Sequence, residues 1–386
     1  MKKFILLLLL IATPALCRAQ ERFEIICGPY LQNVTENEAT VTWITNRRGI
    51  AWVEIAPDNK NHFYSDEHPR FYAADLGRKT VGRVHTVKIT GLQKGTRYRY
   101  RIFSQETTDE QQFYMGYGRT VASDVYQREP FYFKTKDSGV SDFHFAVVND
   151  IHNDYNRLDS LIGRVDKKTL DFVIFNGDMV NQMLSEEVII DGFLKTAVKS
   201  FASEIPFYYA RGNHETRGLF SSEFMRYFST PTGLPYYTLQ YGPVFFVFID
   251  SGEDKPDGDV EYYGLGAYDE YRKKEAEWLK EVLQSEDFKK APVKIAIMHI
   301  PPDNDTWHGG YEVRRLFLPL LNEAGIDLML SGHTHQHAYI PKGEDICNFP
   351  LLINSNKHIV DIQINGRKIS INIKTVDGKI FKKIDL

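Results

Sequence analysis

The chain has 386 residues, 42% of them hydrophobic and 25% charged, which excludes a disordered polypeptide and leaves room for two or three domains. Lys plus Arg number 47 against 51 Asp plus Glu, a net charge of −4 with no block of like sign, which excludes an electrostatic nucleic-acid scaffold. Three cysteines are too few for a disulfide framework.

The first twenty residues, MKKFILLLLLIATPALCRAQ, carry two lysines, an apolar run over 4–12, and Cys17 and Ala19 before a cleavable bond. This layout predicts a signal peptide over 1–19 and export to the periplasm or the extracellular space. The run is shorter than the ~20 residues that span a bilayer, and no later stretch is long enough. Lipid anchoring through Cys17 is the minor alternative, because Pro14, Ala15 and Leu16 make a poor recognition sequence. Cleavage removes Lys2, Lys3 and Arg18 and moves the charge from −4 to −7. Cys27 and Cys347 remain, as one bridge or as two thiols.

Residues 20–136 form the first predicted domain. EATVTWITN, AWVEIAP, VGRVHTVKITG and TRYRYRIFS alternate polar and apolar residues or are rich in β-branched and aromatic ones, between Gly- and Asn-containing turns. About seven short strands predict a β-sandwich of fibronectin type III or immunoglobulin type, with Trp43 packed between its sheets.

Residues 137–386 change rhythm. The apolar strands DFHFAVVND, TLDFVIFNGD, IPFYYARGNHE, PVFFVFIDS, VKIAIMHIPP and IDLMLSGHTH are interleaved with helical segments, among them SEEVIIDGFLKTAVKSFAS with Ser185 as its expected cap. The pattern predicts a layered α/β domain with buried strands. The tail 358–384, with Asn-Gly and Asp-Gly turns, reads as edge strands completing this domain.

Five of these strands end in polar residues: Asp150-x-His152, Gly177-Asp178, Gly212-Asn213-His214-Glu215, His299, and Gly332-His333-Thr334-His335. Strand ends on one rim of an α/β sheet meet in space, and imidazole with carboxylate suits zinc, manganese or iron. The glycines before Asp178, Asn213 and His333 fit tight turns or close backbone approach. A zinc peptidase is disfavoured by the absence of HExxH. A carbohydrate-binding or adhesion protein would account for the β domain but not for the metal motifs.

Taken in order, these five motifs resemble the signature of the calcineurin-like metallophosphoesterases, and GPYLQNVTENEATVTWIT with its β domain resembles the start of the purple acid phosphatases. The resemblance implies a four-layer α/β/β/α second domain and two metal ions, drawn from Fe, Zn and Mn, with no organic cofactor. One ion would be held by Asp150, His152 and His335, the other by Asn213, His299 and His333, with Asp178 bridging. It implies a hydrolase of small phosphate monoesters that uses a metal-bound hydroxide as nucleophile and His214 as general acid, with phosphodiester or nucleotide hydrolysis as the alternative. Glu215 is a candidate orienter of His214. The chain departs from the purple enzymes in having DxH for DxG and Asn181 where GDxxY has its tyrosine. A tyrosinate chromophore is therefore not expected. His308 and Trp307 are expected in a loop over the site, His337 in local hydrogen bonding, and the Gly-, Asp- and Tyr-rich stretch 253–270 as a rim loop or a surface insertion.

Overall fold

The computed structural model describes residues 22–386 apart from 66, 112, 138, 304 and 305. The leader expected over 1–19, with Cys17, lies outside the described residues. Among those described, no helix is long and apolar enough to cross a membrane.

Seven strands of the N-terminal region hydrogen-bond into a β-sandwich. Two of them are longer than the sequence led us to expect: Ala39–Pro57 and Arg97–Gln111. The segment read as two strands, EATVTWITN and AWVEIAP, continues extended through Arg47 and Arg48. Its first half pairs with Ile25–Gln32 and Gly82–Ile89 and its second half with Arg97–Gln111, with a break in register between Ile44 and Gly49. One chain thus passes from one face of the sandwich to the other by a bulge rather than a turn. Trp43 is buried in the core with Val41, Val53, Val87, Tyr100 and Phe133, and its indole N–H donates to Ser104 Oγ at 2.8 Å.

The rest of the chain builds two six-stranded sheets. The first runs, edge to edge, Phe207–Ala210, Phe172–Asn176, Asp142–Val148, His358–Asn365, Lys368–Thr375 and Ile380–Asp385; the second runs Tyr237–Tyr241, Val244–Ile249, Val293–Met298, Leu328–Ser331, Leu351–Ile353 and Ala338–Ile340. Within each sheet the motif-bearing strands run parallel to one another. The tail therefore does more than finish an edge, because His358–Asn365 sits inside the first sheet beside Asp142–Val148.

Alternation along each strand explains the unbroken apolar runs. Phe145, Val147, Phe172 and Ile174 share one cluster with Phe246, Phe248, Ile295 and Leu330 of the other sheet. Their neighbours Ala146, Val148, Val173 and Phe175 pack against Leu158, Ile189, Phe193 and Phe201 of the helical segments. Val247, Ile249, Ala296 and Met298 likewise pack against Leu279, Val313 and Leu321. Side chains of period two that meet apolar partners on both faces leave few polar positions in the strand.

The helical segment after Ser185 is irregular. Ser185 occupies the cap position, but its hydroxyl meets the Glu187 side chain rather than capping the helix backbone, and the segment passes through π-helical stretches at Ile190–Leu194 and Val198–Ala202. Cys27 and Cys347 are both free and buried, in separate apolar clusters.

Candidate metal centre

The backbone at the strand ends is unusual. Asp150, His152, Asn153, Asp178, His333 and His335 all adopt left-handed conformations, with φ between 51° and 70°. Each such non-glycine residue costs on the order of 1–3 kcal/mol, and strain of this kind concentrates where a site must be held in shape. It is sustained by hydrogen bonds between the loops: Asp150 N–H donates to Gly177 O and His152 N–H to Asp178 O, both at 3.0 Å, and Gly332 N–H to His299 O at 2.9 Å. Glycine is required where the loops touch. A Cβ on Gly177 would lie 2.4 Å from His299 Nδ1, and one on Gly332 would lie 2.8 Å from Asp150 Oδ2.

All eight residues singled out at the strand ends converge, and they come from both sheets rather than from the rim of one. Asp150, His152 and His335 form one group of potential ligand atoms, Asp178, His299 and His333 a second, and His152, Asp178 and His214 a third. Two atoms bound to one ion at ~2.1 Å and at right angles lie about 3.0 Å apart. His152 Nε2 and His335 Nε2 are 3.0 Å apart, His299 Nε2 and Asp178 Oδ2 are 3.0 Å, Asn213 Oδ1 and His333 Nδ1 are 3.1 Å, and His335 Nε2 and Asp150 Oδ1 are 3.3 Å.

Hydrogen bonding leaves selected atoms free for a cation. Asp150 Oδ2 accepts from Asn149 Nδ2 at 2.5 Å and from His333 N–H at 2.9 Å, while its Oδ1 is buried without a hydrogen-bond partner. His299 donates its Nδ1 proton to Asn176 O at 2.7 Å, which turns Nε2 toward the carboxylates; that buried Nε2 makes no well-formed hydrogen bond. Asp178 Oδ1 accepts from His214 N–H at 2.9 Å, leaving Oδ2 to face His299. A second partner that fixes the ring or the carboxylate is what a ligand needs.

The electrostatics agree. Burial disfavours a charge on His299, but Asp178 and Asp150 overcome it and push the pKa up to about 10, so the imidazolium is the cation the protein itself can supply to two buried carboxylates. Burial also disfavours ionisation of Asp178, yet His299 holds its pKa down at about 2. Asp150 is likewise held below the usual carboxylate range by His299, His152 and His335 against the effect of burial.

Glu215 has a different task from the one expected of it. It is buried and accepts from the backbone N–H of Asp178 at 2.8 Å, Met179 at 2.7 Å and Gly212 at 2.9 Å, and from Tyr209 Oη at 2.9 Å. It clamps two of the strand-end loops to each other instead of orienting His214. The ring of His214 is held by Asn181 O, 2.5 Å from Nδ1, and by Arg217 Nη1, 3.2 Å from Nε2. A guanidinium always donates, so Nε2 carries the lone pair and Nδ1 the proton. With that lone pair taken by Arg217, His214 is poorly disposed to bind an ion, although its Nε2 lies 3.9 Å from Asp178 Oδ2.

Two further expectations, for His308 and His337, need correction. His308 begins the helix His308–Leu316 and its Nε2 meets Asp269 Oδ1 at 2.8 Å, so it is tied to a helix rather than free in a loop. Trp307 stands at the cap of that helix and is half exposed. His337 makes no hydrogen bond; its ring packs edge-on to Phe381 at 5.1 Å and near His358, and burial pushes its pKa down to about 4.

Comparison with known proteins accords with this geometry. Residues 143–337 match the family described as calcineurin-like phosphoesterase, and residues 28–127 the one described as purple acid phosphatase, N-terminal domain. Among curated proteins, purple acid phosphatase 21 of Arabidopsis thaliana is 25% identical over 264 residues, covering 66% of this chain and 53% of the relative. Purple acid phosphatase 15 of the same plant is 23% identical over 292 residues, covering 67% and 49%. The chain thus spans about half the length of these relatives. Among solved structures, purple acid phosphatase PPD1 from yellow lupin (Lupinus luteus) superposes with a TM-score of 0.64 at 16% identity, over 92% of this chain and 73% of the lupin chain. With the family match extending over half of its residues and a first domain of the purple acid phosphatase type before it, the chain belongs to the calcineurin-like phosphoesterases.

Proposed function

We propose that the protein is an exported hydrolase of phosphoric esters that works with two metal ions, and that phosphomonoesters are its main substrates. The observation that carries this reading is the convergence of buried ligand atoms that make no well-formed hydrogen bond, Asp150 Oδ1 and His299 Nε2, 3.9 Å apart and next to Asp178 Oδ2 and His335 Nε2. An uncompensated buried polar atom costs about 1–3 kcal/mol, and two aimed at one place suit a cation. In this reading Asp150, His152 and His335 hold one ion, Asn213, His299 and His333 the other, and Asp178 bridges them. The first domain is then a fibronectin type III-like sandwich and the second a four-layer α/β/β/α sandwich, in keeping with its two facing sheets and outer helical clusters.

When bound, such ions supply Lewis acidity that polarises a phosphoryl group and an attacking water. Two aspartates against two divalent ions leave a net charge of +2, which favours an anionic substrate although the chain as a whole is acidic. His214 faces the same space from outside the ligand set and handles the proton at the leaving oxygen. Once protonated at Nε2, in place of the hydrogen bond accepted there from Arg217, it would give that proton to the leaving oxygen.

The test is hydrolysis of p-nitrophenyl phosphate, bis-p-nitrophenyl phosphate and nucleotides by protein loaded with zinc, manganese or iron. Monoester turnover that chelation abolishes is expected. Preference for the diester or for nucleotides would move the assignment within the class, and no turnover with any metal would overturn it. His214→Ala is expected to keep both ions and to lose ~10²–10⁴-fold in kcat with a poor leaving group, the usual worth of a general acid. Iron-loaded protein should show no tyrosinate charge-transfer band, since Asn181 stands at the tyrosine position.

A further inference from the structure

The stretch 253–270, which the sequence marks as Gly-, Asp- and Tyr-rich, is tied to His214 through one buried arginine. Arg217 is only 6% exposed and lies three residues beyond His214. Its Nε donates to Glu253 Oε1 at 2.7 Å and its Nη2 to Asp254 Oδ1 at 2.7 Å, with Glu261 Oε2 3.2 Å from Nε. These carboxylates occupy one edge and one end of the guanidinium. Nη1 is what remains, and it points at His214 Nε2, 3.2 Å away. Glu253 is fixed in turn by Tyr262 Oη on its carboxylate and by Arg272 on its carbonyl oxygen.

We propose that Arg217 is the positioning residue of His214, and that the 253–262 loop, through Glu253 and Asp254, sets where the imidazole points. The inference rests on the function proposed above. A planar guanidinium held by two carboxylates presents its remaining N–H groups in a fixed direction, which a lysine ammonium cannot do. With Asn181 O holding Nδ1–H and Arg217 holding Nε2, the ring is secured at both nitrogens in one tautomer. Without Nη1 it is secured only at Nδ1, on a partly exposed ring at the start of the short 3-10 helix His214–Thr216, and spends less time in the site. Loss of a partner that orients an active side chain typically costs 10–100-fold.

The test uses Arg217→Lys, which keeps a cation for Glu253 and Asp254 while removing Nη1. The metal-loaded variant is expected to retain both ions by elemental analysis and to lose 10–100-fold in kcat on an alkyl phosphate, with KM changed less than threefold. Arg217→Lys/His214→Ala is expected to be no slower than His214→Ala alone, because the arginine acts through the ring. A long-range proton–nitrogen NMR spectrum of the zinc protein should report His214 as the Nδ1–H tautomer in the parent and as a mixture of tautomers in the variant. If Arg217→Lys falls out of solution, Asp254→Asn with Glu253→Gln is read by the same assays and spectrum. A kcat within twofold of the parent, multiplicative losses in the double variant, or an unchanged His214 spectrum would each overturn the proposal. Failure of the parent to hydrolyse any ester would instead overturn the function on which it rests, and the spectrum reads the positioning in either case.

Discussion

At the scale of single residues, Asp178 carries more than one demand. Its Oδ2 faces His299, its Oδ1 accepts from the backbone of His214, and its own backbone is left-handed and held by Glu215. Asp178→Asn removes a negative charge that no other group replaces, while leaving the side chain's size and one acceptor in place. We expect it to weaken both ions together rather than one. Dialysis followed by elemental analysis decides: two ions retained at parental occupancy would refute a bridging role. Residues such as this were legible because each motif is local, a handful of letters at a strand end. The partners that aim them were not. Glu215 reads as a neighbour of His214, yet its carboxylate is turned back onto Asp178, Met179 and Gly212, and Arg217 finds Glu253 thirty-six positions away. Nothing in a linear pattern distinguishes a carboxylate that clamps backbone from one that orients a ring.

At the scale of elements, apolar runs announced the strands but not the number of sheets. Phe145 and Phe246 look alike in sequence; only packing shows that they face each other across a core formed by two sheets, so that the site draws residues from both. In the sandwich, alternation located the strand Gly82–Ile89, yet it did not reveal that His85 is buried against Trp43, with rings 5.5 Å apart and a ring nitrogen 2.9 Å from Thr45 Oγ1. Burial lowers the pKa of His85 from 6.5 to about 4. The unfolded chain therefore binds the proton first as pH falls. The stability contributed by the neutral ring is complete above pH 6.5 and is lost on acidification down to about pH 4, by about 3 kcal/mol in all. His85→Gln keeps a partner for Thr45 and does not titrate. Denaturant melts at pH 7.5, 6, 5 and 4 should show the parent losing its advantage over the variant across that window; a difference that stays constant with pH would refute the assignment.

At the scale of the whole molecule, the two domains share an interior. Cys27, Tyr30 and Ile44 of the sandwich belong to the same apolar cluster as Ile151, Met179 and Val180, which flank Asp150 and Asp178. Tyr30 is fully buried, stacks on Phe207 at 5.7 Å and donates to Tyr227 O at 2.9 Å; Tyr100 Oη donates to Ser203 O at 2.6 Å, and Tyr208 Oη returns the arrangement by donating to Val34 O at 3.3 Å. Tyrosine suits such a boundary because it fills apolar volume and still satisfies a backbone carbonyl at its tip. Deleting a side chain of this size from a packed core costs about 3–5 kcal/mol. For a chain of this length that corresponds to a fall in Tm of about 4–6 °C. Since the contacts are continuous across the boundary, calorimetry should show one transition for the parent and the same single transition, lowered, for Tyr30→Ala. Two separated transitions in the parent, with only the sandwich peak moved by the substitution, would show that the domains unfold independently. A single lowered transition would mean that the sandwich braces the strand ends on which the metal centre is built, which gives the first domain a structural part in the site without any contact to substrate.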